Sequence, residues 1–121
     1  MSKIKDFKDL IAWQLARKLV KEIYSLSKVF PNEELYCLTN QMRKAAISVP
    51  SNIAEGFSRR GSKDYANFLS IALGSLLELE TQVILSMDLE YIKQAECDSI
   101  MLRIVELKKV LYGLRKSIQS L

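Results

Sequence analysis

Residues 93–121, KQAECDSIMLRIVELKKVLYGLRKSIQSL, carry the cleanest pattern in the chain. Cys97, Ile100, Ile104, Leu107, Leu111, Leu114, Ile118 and Leu121 recur in steps of three and four, the period of a helix that buries one narrow seam. The same period extends toward the N-terminus. Residues 63–87 repeat it through Tyr65, Leu69, Ala72, Leu76, Leu79 and Val83, while Phe68, Leu73, Leu77, Ile84 and Leu85 widen the apolar arc beyond what one seam needs. Residues 33–57 carry it in Leu35, Leu38, Met42, Ala45, Val49, Ile53 and Phe57. Pro50 lies inside that segment and removes the backbone bond to the carbonyl of Ala46, so helix two kinks there or breaks in two. Residues 9–29 form helix one, with Ala12, Ala16, Leu19, Ile23, Leu26 and Phe30 opposed by Gln14, Arg17, Lys18, Lys21, Ser25 and Lys28.

The punctuation between these segments is equally clear. Pro31 disfavours helical geometry at Phe30, and Asn32 followed by Glu33 and Glu34 supplies a cap and first-turn acids for helix two. Gly56 and Gly61 close helix two, and Ser62 offers an N-cap for helix three. No strand pattern competes. Four long helices with short links make sequential neighbours antiparallel, so the predicted fold is all-α: an up-down-up-down four-helix bundle, a single domain over residues 1–121, helix two kinked near Pro50.

With 121 residues, 49% hydrophobic and 26% charged, and only four Gly and two Pro, the chain is an ordered domain of ordinary size rather than a collagenous, low-complexity or disordered one. It contains no His, which removes Ser-His-Asp and Cys-His nucleophile activation, the Glu-x-x-His di-iron site of ferritin-like bundles and the commonest metal ligand. Glu78, Glu80 and Asp88 alternate with apolar residues and read as a solvated acidic face. The expectation is therefore no enzyme, no catalytic residue, no metal and no cofactor. Cys37 and Cys97 form no CxxC pair and no disulfide is expected. The first residues mix charges, and no run approaches the ~18 apolar residues of a membrane span, which points to a cytoplasmic protein without a membrane partner.

The formal charge of +4 is unevenly spread: +4 over residues 1–30, +1 over 31–60, −4 over 61–90 and +3 over 91–121. The run Gly56-Phe57-Ser58-Arg59-Arg60-Gly61-Ser62-Lys63 superficially resembles a P-loop, but its order is Gly-Ser-Lys and a helix precedes it, so the match is false. Its basic residues still count. Arg59, Arg60 and Lys63 adjoin a helix N-terminus that favours phosphate, or else Glu55 pairs with Arg59 and the rest is solvated turn. Helix four adds Arg103, Lys108, Lys109, Arg115 and Lys116, and helix two adds Arg43 and Lys44. Repeated around an oligomer, such groups build a phosphate-binding surface from a weak charge. The surplus apolar residues Trp13, Val20, Tyr24, Leu73 and Leu77 are the candidate oligomer interface. Tyr36 and Tyr112 are the expected surface rings, and Asn52 falls on the helix-two seam as a structural polar residue.

A family resemblance lies in Trp13-Gln14, Ile23-Tyr24, Phe30-Pro31, Gln41, Arg43-Lys44-Ala45-Ala46, Ser48-Val49-Pro50 and Asn52-Ile53-Ala54-Glu55-Gly56, continued by Phe68-Leu69, Ala72, Gly74-Ser75 and Glu78-Leu79. Over residues 7–90 the chain resembles the bacterial four-helix bundle family of the large-subunit rRNA intervening-sequence proteins. The resemblance implies a homopentameric ring. It also implies a relation to accessory variability proteins of diversity-generating retroelements, which bind nucleic acid and a reverse transcriptase through a basic surface. Arg43 and Arg59 are the basic positions it carries over. Two readings follow: an accessory protein that binds RNA or DNA phosphates, and a scaffold that docks a partner protein such as a reverse transcriptase without binding nucleic acid.

Overall fold

Each of the four helical segments forms a single helix: α1 Ile11–Ser27, α2 Leu38–Phe57, α3 Ser62–Asp88 and α4 Gln94–Gln119. A computed structural model describes residues 4–121, and among them there is no strand. Each helix packs against the next, and α4 closes the ring against α1, with α2 and α3 sharing the most extensive seam and α1 and α4 the least. This is the up-down-up-down four-helix bundle. Its core interleaves the predicted stripes: Ala12, Ala16, Leu19 and Ile23 from α1, Met42, Val49 and Ile53 from α2, Leu69, Leu76, Leu79 and Val83 from α3, and Ile104, Leu107 and Leu111 from α4, all buried. Burying each of the Leu, Ile, Val and Met side chains stabilises by about 1.5–3 kcal/mol before the conformational entropy of ordering them is set against it.

Several details differ from expectation, each for a local reason. A 3-10 turn at Phe7–Asp9 precedes α1, held by a capping box in which Asp6 accepts from the Lys8 N–H and Asp9 from the Asp6 N–H. Helix two begins at Leu38 rather than near Glu33. Asn32–Glu34 form a separate 3-10 turn without an Asn32 side-chain cap, and Cys37, at φ −120° and ψ −107°, breaks the helical path. Leu35 and Tyr36 consequently lie exposed. Glu34 serves the new start instead, its carboxylate accepting from the Leu38 N–H at 3.4 Å. Gly61, not Ser62, is the N-cap of α3, and no side chain caps that end.

α2 runs unbroken through Pro50, so the two-helix alternative is eliminated. The seam of α4 frays at its end, where Ile118 is half-buried and Leu121 exposed. Asn52 is half-buried and donates to the Ser48 carbonyl and hydroxyl at 2.8 and 2.9 Å, while Ser48 bonds Ser75 across the α2–α3 seam at 2.8 Å. Cys37 is exposed, Cys97 is buried, and both are free.

Leu73 is a correction to the candidate interface. It is only 3% exposed, locked in the chain's own core, because α3 faces α2 and α4 at once and needs a wider buried arc than a single seam. The sequence-based statement that no run approaches a membrane span also needs correcting. α3 is long and apolar enough to cross a membrane by length and composition, with a mean hydropathy of 1.5 over its best window. Nine of its residues are buried within the bundle. The rest of its apolar character lies on an outer flank where Ile71, Leu77, Ile84 and Leu85 are exposed beside Gly74 and Thr81.

Candidate functional site

The antiparallel path sorts charge along the bundle. One end gathers the start of α1, the α2–α3 turn and the end of α4; the other gathers the α1–α2 and α3–α4 connections. Dividing each helix at its midpoint, the first half (residues 5–19, 48–75 and 107–121) holds eleven Lys and Arg against four Asp and Glu. The second half (residues 20–47 and 76–106) holds six against ten. Among the described residues the bundle is therefore +7 at one end and −4 at the other, although no segment of the sequence is strongly charged.

Ion pairing divides the basic candidates further. Arg59 is engaged, with Nη2 3.0 Å from Glu55, Nε 3.8 Å from Asp64 and its guanidinium over the Phe68 ring. This is the solvated-turn alternative realised for that residue. Lys108 pairs with Glu80 at 2.9 Å across α3 and α4. Arg103 pairs with Glu22 at 2.7 Å across α1 and α4. Arg43 is half-buried, donating Nε to Ser27 at 2.9 Å while its guanidinium lies over Tyr24, and it is in no ion pair among the described residues. Arg115 stacks on Tyr112 and bonds the Ser70 hydroxyl at 3.1 Å. Lys44, Arg60, Lys63, Lys109 and Lys116 are exposed and in no ion pair among the described residues. The fold brings Arg60, Lys63, Arg115 and Lys116 to the basic end, spreads Lys108 and Lys109 toward the middle, and leaves Arg43 and Lys44 in the acidic half.

One basic cluster was missed. Lys8, Arg17, Lys18 and Lys21 line a groove of about 560 Å³ with Trp13 and Gln14, and no acidic side chain lines it. Arg17 lies over the Trp13 ring, 5.5 Å from its centroid, and Phe7 meets the ring edge-on at 5.3 Å. The 3-10 turn fixes Lys8: Gln14 donates Nε2 to the Lys8 carbonyl at 2.9 Å, and the carboxylates of Asp6 and Asp9 are engaged by backbone N–H groups. The signal was present in the +4 charge of residues 1–30, but Arg17, Lys18 and Lys21 read there as an ordinary wet helix face.

Of the candidate interface residues, Trp13 and Val20 are half-buried, and Tyr24 and Leu77 are exposed. Trp13, Arg17 and Val20 also face Ile47 and Pro50 across an almost wholly apolar crevice of about 210 Å³ on the α1–α2 seam. Among the described residues no group of His, Cys, Asp and Glu could hold a metal. Among the described residues three groups titrate away from their ordinary range, none of them in a basic cluster. Burial raises Tyr65 and Cys97, and the Glu34 hydrogen bond raises Tyr91.

Comparison with known proteins agrees with this architecture. A model of the 23S rRNA-intervening sequence protein family matches residues 8–113. A crystal structure of a protein of unknown function from the S23 ribosomal protein family of Bacteroides thetaiotaomicron superposes with a TM-score of 0.81 at 26% identity, over 88% of this chain and 96% of that one. No curated protein is matched. Neither description indicates an enzymatic domain.

Proposed function

Because the chain belongs to the 23S rRNA-intervening sequence protein family, we propose that it is a non-enzymatic, self-associating helical bundle that holds nucleic acid by its phosphates at its basic end. The observation that carries this reading is the segregation of eleven basic against four acidic side chains at one end of the bundle, most of the basic ones outside any ion pair. Phosphate contacts of this kind release counterions and read no sequence, so affinity falls steeply with salt. With three to five contacts per subunit, log K against log salt falls with a slope of about −2 to −4. Replacing an unpaired residue, as in Arg60→Ala or Lys63→Ala, reduces that slope by about one. Lys108→Ala, whose ammonium already answers Glu80, leaves it unchanged. Fluorescence anisotropy over a salt series measures all three, and the absence of binding at low salt would sink the proposal.

Self-association is supported by the outer flank of α3, where Ile71, Leu77, Ile84 and Leu85 are exposed beside Gly74 and Thr81, with Glu78 as a charge on the same face. In the ring of five that the resemblance implies, light scattering reads about five times the 13.9 kDa chain mass. The same flank favours one competing reading, a scaffold that docks a partner protein such as a reverse transcriptase. That reading gains if the protein is monomeric and indifferent to nucleic acid.

A further inference from the structure

The groove around Trp13 differs from the rest of the basic end. Elsewhere at that end Arg59 and Arg115 each cover one ring singly and the remaining cations outside ion pairs stand exposed; here four cations line one groove with a half-buried aromatic ring, and an apolar crevice lies on the other side of the same wall. Trp13 and Arg17 border both spaces, so polar and apolar surfaces meet along one edge of α1. The pattern repeats farther along the α1–α2 seam, where Arg43 stacks on Tyr24 with its guanidinium 4.6 Å from the ring centroid. Trp13 and Tyr24 are eleven residues apart, about 16 Å along the helix.

Resting on the phosphate-binding reading, we propose that this seam is a track for single-stranded nucleic acid. Lys8, Lys18 and Lys21 take the phosphates, and unstacked bases lie against the Trp13–Arg17 and Tyr24–Arg43 pairs. The charge complementarity is strongest around Trp13, where four cations and no carboxylate line the groove, and the Tyr24–Arg43 pair continues the track into the other half of the bundle. The choice of a single strand follows from the rings. Trp13 is half-buried beside the α1–α2 crevice and Tyr24 lies open farther along, each with an arginine over its ring. The bases of a duplex are stacked on one another, so only a base free of its stack offers a face to such a ring, and both aromatic faces and guanidinium planes accept such bases. Arg17 and Arg43 already lie over these rings, 5.5 and 4.6 Å from their centroids.

Trp13 is the only tryptophan in the chain, so its emission reports this groove and no other. The experiment titrates the full-length protein with a 20-nucleotide oligothymidylate and with a duplex of the same length at matched salt, reading Trp13 emission and, with labelled strands, anisotropy. The single strand is expected to quench Trp13 and to bind at least ten-fold more tightly than the duplex. Trp13→Ala is expected to weaken the single strand about 5- to 150-fold, the range of one stacked base, and to leave duplex binding within about two-fold. Trp13→Phe, which keeps a stacking face and the packing against Phe7, restores most of the affinity; its circular dichroism and melting curve establish that it folds. Equal binding of both forms with unmoved Trp13 emission overturns the track and leaves phosphate binding standing. Binding of neither form at low salt overturns phosphate binding itself. The quench in the unaltered protein decides between these outcomes even where Trp13→Ala fails to fold.

Discussion

Gly56 lies where α2 packs closely against the start of α3. A Cβ added there would lie 2.8 Å from Phe68 Cβ, 3.1 Å from the Tyr65 ring and 3.2 Å from the Tyr65 carbonyl, and the first and last of these belong to parts of the chain that cannot swing aside. Gly56→Ala should therefore force the helices apart and lower stability by about 1–3 kcal/mol, as read by urea unfolding with an unchanged slope. The sequence marked Gly56 as the closing residue of helix two, and α2 does end at Phe57. Its other duty, close approach, depends on Tyr65 and Phe68 and is invisible until the partner helix is in place. Tyr91 gives a second test at this scale. Its hydroxyl donates to Glu34 at 2.7 Å, and that bond, then partial desolvation and the charges of Glu34 and Glu33, raise its pKa above the ordinary 10.0. The folded state thus holds this proton more tightly than the unfolded chain does. The stabilisation is whole below about pH 10 and is lost as pH rises through the raised value. Denaturation measured between about pH 9 and 11 should show stability falling, and Tyr91→Phe should flatten that fall, with the raised Tyr65 and Cys97 leaving a residual slope.

The end of α3 shows how an element can be legible in place and opaque in mechanism. Periodicity put the end at Met87, one residue short of Asp88, with no glycine to stop it. The stop is a Schellman motif built on Glu90, at φ 63°, with the Tyr91 N–H donating to the Ser86 carbonyl at 2.9 Å and the Glu90 N–H to Met87 at 3.0 Å. A side chain in the left-handed region is strained, so Glu90→Gly should raise stability by about 1 kcal/mol, measurable as an increase in melting temperature. The start of α2 was misread for the opposite reason. Leu35 and Leu38 keep helical spacing, but Leu35 belongs to a connection in which Cys37 turns the backbone away, and spacing alone does not register a single broken dihedral pair. The surplus apolar residues of α3 were legible as a group, yet their division between core and flank was not. Leu73 went inward and Leu77 outward because two flanking helices, not one, define what α3 buries.

For the molecule as a whole, the four stripes and three short links determine the bundle, which is why the fold could be read from periodicity. The candidate site could be read only in pieces. Quarter by quarter the charge never exceeds +4, and it is the alternation of chain direction that adds the first turns of α1 to the α2–α3 turn and the end of α4. Spacing likewise could not say that Glu80 would answer Lys108 while leaving Lys109 free. The axial arrangement of charge has a consequence for how the protein meets a polyanion. α3 spans about 40 Å, roughly four Debye lengths at 0.1 M salt, so the two ends are electrically independent there and the acidic end does nothing to discourage an approach to the basic one. At 0.01 M the screening distance grows to about 30 Å and the bundle responds as one dipole. A polyanion's field then exerts a torque on it, and the protein arrives already turned, basic end first, before any side chain has made contact.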